Sequence, residues 1–160
     1  MFVLMRAVTY AALFVGLLLV FLPAQVLAWS GITAPARIGA AEVGGIAVGA
    51  AGAAVALWCI LTFAFVGKGT PAPFDPPRAL VMRGPYRFVR NPMYLGAVLA
   101  LSGAALFYRS GPLLAYAALF ALLAHAFVVL YEEPALRGAF GDDYAAYCGR
   151  VRRWWPRLTP

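Results

Sequence analysis

The sequence predicts an all-α, polytopic membrane helix bundle of about four transmembrane helices, with a C-terminal amphipathic helix lying in the interface. Three observations carry this. The chain has 160 residues, 64% hydrophobic and only 12% charged. Soluble domains carry roughly 25% charged residues, so this chain lacks the polar groups to cover a water-exposed surface. Its apolar residues fall into four runs, and each reaches the roughly 17–25 residues that cross a hydrocarbon core. The basic residues behind a formal charge of +7 lie at the ends of those runs rather than along one polar helix face. That directs the charge to a membrane surface and away from nucleic acid.

The runs occupy residues 3–28, 40–66, 92–108 and 112–131. Backbone amides cannot stay unpaired in lipid, so each is expected to be a helix. The first run also has the look of a secretory signal, with Arg6 before it and "VLA" at 26–28. Its apolar part is long for a signal, which favours a retained span. The second run is rich in small residues, and Gly45 and Gly49 form a small-xxx-small pair suited to close packing within the bundle. Cys59 and Cys148 show neither metal-ligand spacing nor a disulfide framework, so both are read as structural and no metal is expected.

Orientation follows from the cations. Arg6, the 67–91 segment and the tail beyond 132 hold all the basic residues except Arg37 and Arg109. The positive-inside rule places both termini and the 67–91 loop in the cytoplasm. One membrane domain is expected over 1–160: two spans to 66, that loop, a helical hairpin over 92–133 and an interfacial tail over 134–160. In the tail, Phe140, Tyr144, Tyr147, Val151 and Trp154 recur at three- and four-residue steps as one apolar stripe. Such a helix lies in the headgroup plane, as an anchor or as a lid over a pocket.

The polar residues gather where the third span begins and the fourth ends. Asn91 suits an N-cap and Pro92 the first helical position. Tyr94 fits an interfacial aromatic belt. Glu132 and Glu133 are expected to end the fourth helix, with Pro134 closing it. Carboxylates at a helix C-terminus oppose the macrodipole and call for cationic partners. The short turn between the spans makes an antiparallel hairpin, which brings Arg90, Asn91 and Tyr94 to these glutamates. His125, seven residues before Glu132, shares its face; it is either a functional group within the span or a neutral side chain bonded to a neighbour. "GKG" at 67–69 follows a span and precedes Thr-Pro, so it reads as a turn rather than a nucleotide fingerprint.

The run "GPYRFVRNPMYLG" at 84–96, followed after one hairpin by "EEPALRGAFGDDYAAYCGRVRRWWPR" at 132–157, resembles the membrane methyltransferase superfamily. That group includes the isoprenylcysteine carboxyl methyltransferases and the phospholipid N-methyltransferases. Arg90, Asn91, Pro92, Tyr94 and Gly96 fit its first motif. Glu132, Glu133, Leu136, Phe140, Gly141, Tyr144 and Tyr147 fit the rest. Many relatives carry His where Asn91 stands, and the Asn here weakens any claim that an imidazole is required at that position.

The resemblance implies S-adenosylmethionine as cofactor and a lipophilic acceptor entering from the bilayer of a bacterial inner membrane. Arg90, Tyr94 and Glu132 are then the candidate catalytic residues. Val81, Arg83, Gly84, Tyr86, Asn91, Pro92, Tyr94, His125, Glu132 and Glu133 are candidates for holding the cofactor. Tyr144, Tyr147 and Arg150 are candidates for the acceptor. A lipid amine, a prenylcysteine-like carboxylate and a thiol all remain open as acceptors. Two other readings stand beside this one: an NADPH-dependent membrane reductase, whose Asn-Tyr-x-Gly-Glu pattern Met93 and Ala97 break, and a scaffold or transporter subunit without catalysis.

Overall fold

A computed structural model describes residues 15–62 and 80–156. Arg6, Lys68, Arg78, Arg157, the "GKG" turn and the start of the first run lie outside the described residues. Among those described, the protein is an all-helical membrane bundle. α1 is Leu22–Trp29, entered through a π-turn over Gly16–Phe21. α2 is Ala40–Thr62 and α3 is Pro92–Phe107. α4 is Gly111–Phe127, followed by a second π-turn over Val128–Glu132 and by α5 over Glu133–Arg150.

α3 is the central element, with α2 on one side and α4 on the other, while α1 packs on α4. Glycines set the α2–α3 distance. A Cβ on Gly52 would lie 2.5 Å from both the Ala100 nitrogen and the Gly96 oxygen; one on Gly45 would meet the Phe107 nitrogen at 2.5 Å. The two backbones therefore touch, as small-residue interfaces in membranes allow. On the other side of α3, Ala97 and Leu101 form a buried core with Ala117, Phe120 and Ala124 of α4. Leu114, Leu119, Leu122 and Leu123 point outward from α4, Leu130 from the π-turn after it, and Val43, Ile46, Leu57 and Leu61 from α2. Exposed aliphatic faces of this kind suit lipid.

The turns are fixed locally. The Ser110 hydroxyl caps α4 by accepting the Leu113 amide at 3.1 Å. At the same end of the bundle, Glu42 accepts the Gly39 amide at 2.7 Å and the Arg109 Nε at 2.7 Å. Arg109 reaches it from a left-handed backbone, φ 49°.

The fourth span does not end at Glu133, and Pro134 does not close it. The chain stays helical through Pro134 as far as the Gly141 turn, and helical again from there to Arg150. A proline inside an α-helix lacks its N–H and strikes the carbonyl four residues back. Here one extra residue in the preceding turn absorbs the clash: the Glu133 amide donates to the Val128 carbonyl, five residues back. α1 uses the same device before Pro23, where the Leu22 amide donates to the Leu17 carbonyl. The two glutamates are thus mid-helix, and the expected macrodipole penalty on a helix end does not arise. The break comes later, at Gly141, whose φ of 48° and ψ of −121° turn the helix.

Candidate functional site

The segment before α3 is built against α2. Val81 and Tyr86 are buried with Cys59 of α2. Gly84 has a φ of +60°, and a Cβ there would meet the Thr62 hydroxyl at 2.6 Å, so both conformation and space demand glycine. A short 3-10 turn, Gly84–Arg87, then leads to Asn91. Burial holds the Tyr86 phenol protonated, its pKa well above the ordinary value, with Cys59 adding to the effect.

The Gly141 turn lets the end of α5 fold back onto this segment. Tyr144, Tyr147 and Val151 are buried there with Phe140 and Leu136 beside them. The Tyr147 hydroxyl donates to the Tyr86 carbonyl at 2.6 Å. Beyond α5 the chain runs alongside residue 89 as a single parallel bridge, Val89 to Arg152. The Arg90 amide donates to the Arg152 carbonyl at 2.9 Å. The apolar stripe of the tail therefore packs on protein at this site.

Charged groups converge at that junction. Arg90 Nη2 lies 3.3 Å from Glu133 Oε1, and both side chains are largely buried. Arg153 grips Glu133 through two bonds, Nε to Oε1 at 2.7 Å and Nη2 to Oε2 at 2.9 Å. Paired charge-assisted bonds of this kind are strong and directional, and the Glu133 carboxylate raises the pKa of Arg153 above its ordinary value. Arg90 Nη1 also meets the Tyr144 hydroxyl at 3.5 Å and the Cys148 sulfur. Its buried Nε has no hydrogen-bond partner among the described residues. Beside this cluster the Tyr94 hydroxyl donates to Glu132 Oε2 at 3.1 Å.

The hairpin thus brings Arg90 and Tyr94 to the two glutamates, as its geometry predicts. Asn91 stands at the N-cap of α3 without a side-chain capping bond; its Nδ2 donates instead to the Arg153 carbonyl at 3.3 Å. Pro92 is buried at the first position of α3. His125 joins the site through the tail, its Nδ1 accepting from Trp154 Nε1 at 3.0 Å. Val81, Gly84 and Tyr86 lie one layer back, against α2. Arg83 is exposed and makes none of these contacts. Arg150 is also exposed, with its guanidinium 4.0 Å from the Met82 sulfur. Arg153, Cys148 and Trp154 reach the junction without being expected there: Cys148 reads as structural and Trp154 as part of the apolar stripe, and no local spacing links Arg153 to a glutamate twenty positions earlier.

The donor set is mixed: two guanidiniums, two carboxylates, a phenol and an amide at the edge of apolar helices. Among the described residues no group of three or more His, Cys, Asp or Glu is placed to hold an ion. No curated protein matches the chain, and no solved structure does. A family model described as phospholipid methyltransferase matches residues 40–143, from the start of α2 to beyond the Gly141 turn. With the match covering well over half of the chain, the protein belongs to the phospholipid methyltransferase family.

Proposed function

We propose that this protein transfers a methyl group from S-adenosylmethionine to a lipophilic acceptor at the cytoplasmic face of a bacterial inner membrane. The observation that carries the reading is the junction of Arg90, Arg153, Glu133, Glu132 and Tyr94 at one end of the apolar bundle. When bound, the cofactor supplies a methyl group already activated by its sulfonium. The protein's task is then to position two molecules and exclude water, and positioning contributes about 7–11 kcal/mol.

Arg90 would hold the cofactor's carboxylate, and its unpartnered buried Nε is a donor suited to an anion. Glu132 would accept from the ammonium or a ribose hydroxyl, steadied by Tyr94. The Tyr94 ring would face the sulfonium, a cation–π contact of about 0.5–2 kcal/mol. Asn91 has its amide nitrogen engaged by the tail, which leaves Oδ1 to accept. Val81, Gly84, Tyr86 and Pro92 form the wall behind. Tyr144 and Tyr147 keep the tail closed over Arg90 and the 80–91 segment, and Arg150 stands at the acceptor's side. The acceptor would enter from lipid beside the exposed Leu130 and Tyr131.

Calorimetric titration of S-adenosylmethionine tests the reading. The parent protein should bind it, with Glu132→Gln and Tyr94→Phe each weakening the affinity about tenfold. Unchanged affinity in both removes these residues from the pocket. A fluorescence titration in which NADPH binds and S-adenosylmethionine does not would move the protein to the reductase class.

A further inference from the structure

Each π-turn strands a backbone carbonyl just before its proline. In α1, the Leu22 amide bypasses the Leu18 carbonyl to reach Leu17, and Pro23, next in line, has no N–H. The stranded Leu18 oxygen is taken by the Tyr116 hydroxyl at 2.8 Å. The turn before Pro134 repeats the geometry. The Glu133 amide bypasses the Val129 carbonyl to reach Val128, and Pro134 has no N–H to offer. No side-chain donor among the described residues meets the Val129 oxygen in the way that Tyr116 meets Leu18. An unpaired carbonyl in an apolar surrounding costs several kcal/mol, and π-turns recur at functional sites.

Its position matters. The π-turn stacks Glu133 over Val128, five residues back, so Val129 lies one residue from the face of Glu133, which meets Arg90. Helical carbonyls point toward the C-terminal end, here toward the glutamate pair. We propose that the Val129 carbonyl is a ligand-binding acceptor, kept out of the helix by Pro134 to receive an ammonium or amine N–H beside Glu132 and Glu133. This rests on the reading of the junction as a cofactor site, and two sources share the chemistry: the amino-acid end of S-adenosylmethionine and an aminolipid headgroup. Pro134 is then a positioning residue.

Two variants test it in the full-length protein. Pro134→Ala restores an N–H and lets the helix close as a regular α-helix, giving the Val129 oxygen an internal donor. The expected result has opposite signs: Tm in detergent rises while ligand affinity falls about tenfold. A proline that matters only for structure would move both the same way. Replacing the Val129–Leu130 amide by an ester weakens the same oxygen as an acceptor and leaves every side chain in place; it too should lower affinity about tenfold. Binding is read by calorimetry with S-adenosylmethionine and by retention on phosphatidylethanolamine vesicles against phosphatidylcholine vesicles. A loss confined to the first probe assigns the carbonyl to the cofactor, and a loss confined to the second assigns it to the lipid. Parent binding of S-adenosylmethionine with neither probe altered in either variant overturns the proposal and leaves the methyltransferase reading intact. Should the parent not bind S-adenosylmethionine while ester-sensitive aminolipid retention persists, that reading fails and the carbonyl site stands.

Discussion

Arg153 closes on both oxygens of Glu133, at 2.7 and 2.9 Å, from a position twenty residues further along the chain. The pair ties the folded-back tail to the helix that carries the candidate site. Glu133 is 6% exposed, and removing one partner of a fully buried pair costs about 3–5 kcal/mol. The Arg153 side chain is 32% exposed, so water recovers part of the loss. Arg153→Ala should therefore destabilise by about 1–3 kcal/mol, read as a lower Tm in detergent. It should also free Trp154 from His125, shifting tryptophan emission to the red.

Gly141 decides where the tail goes. Its φ of 48° with ψ of −121° lies in a region open almost only to glycine, while a Cβ there would meet nothing within 4 Å. The cost of Gly141→Ala is therefore conformational, about 1–3 kcal/mol. Gly138, in ordinary helix with equally open space, provides the contrast. Gly138→Ala should stabilise by about 0.5–1 kcal/mol. Urea or thermal unfolding of the two variants should give opposite signs.

Much of the frame is legible in the sequence because lipid leaves the backbone few options. The apolar runs locate α2 from 40 and α3 from 92, and the short turn at 108–110 dictates an antiparallel hairpin. Once that hairpin is drawn, Arg90 and Tyr94 must approach Glu132 and Glu133. Pro134 misleads because the local rule for proline is to stop a helix; the turn before it expands by one residue and the helix continues. What rewards that expansion is the packing of Tyr144 and Tyr147 far downstream, which no local spacing records. Arg153 is hidden for the same reason. Its meeting with Glu133 depends on the Gly141 turn, and a glycine in the "FG" pair does not announce its φ.

The α2–α3 contact separates two glycines three residues apart on α2, Gly49 and Gly52. A Cβ on Gly52 would meet the α3 backbone at 2.5 Å, whereas one on Gly49 would find its nearest neighbour at 3.9 Å. Gly52→Ala must push the helices apart, and overpacking of this kind costs about 1–3 kcal/mol. Gly49→Ala fits ordinary contact and should be neutral or slightly stabilising, since glycine is the poorer helix former. Thermal unfolding in detergent should rank Gly49→Ala at or above the parent and Gly52→Ala below it.

The opposite end of the bundle offers a separation of stability from ligand affinity. Glu42, 1% exposed, collects the Gly39 amide and the Arg109 guanidinium in one carboxylate. That joins the start of α2 to the turn after α3, at the end of α3 far from Tyr94. Arg109→Ala strands a buried carboxylate, and an unpaired buried charge is strongly unfavourable. Glu42→Gln can keep the Gly39 contact on its amide oxygen, but it loses the charge and turns an NH2 donor toward the Arg109 Nε. Tm should fall in both variants and further in Arg109→Ala, while the affinity for S-adenosylmethionine below the melting transition stays at the parent value. A Kd that rose in step with the fall in Tm would instead show that the two ends of α3 are coupled, with the α2–α3 backbone contact as the path between them.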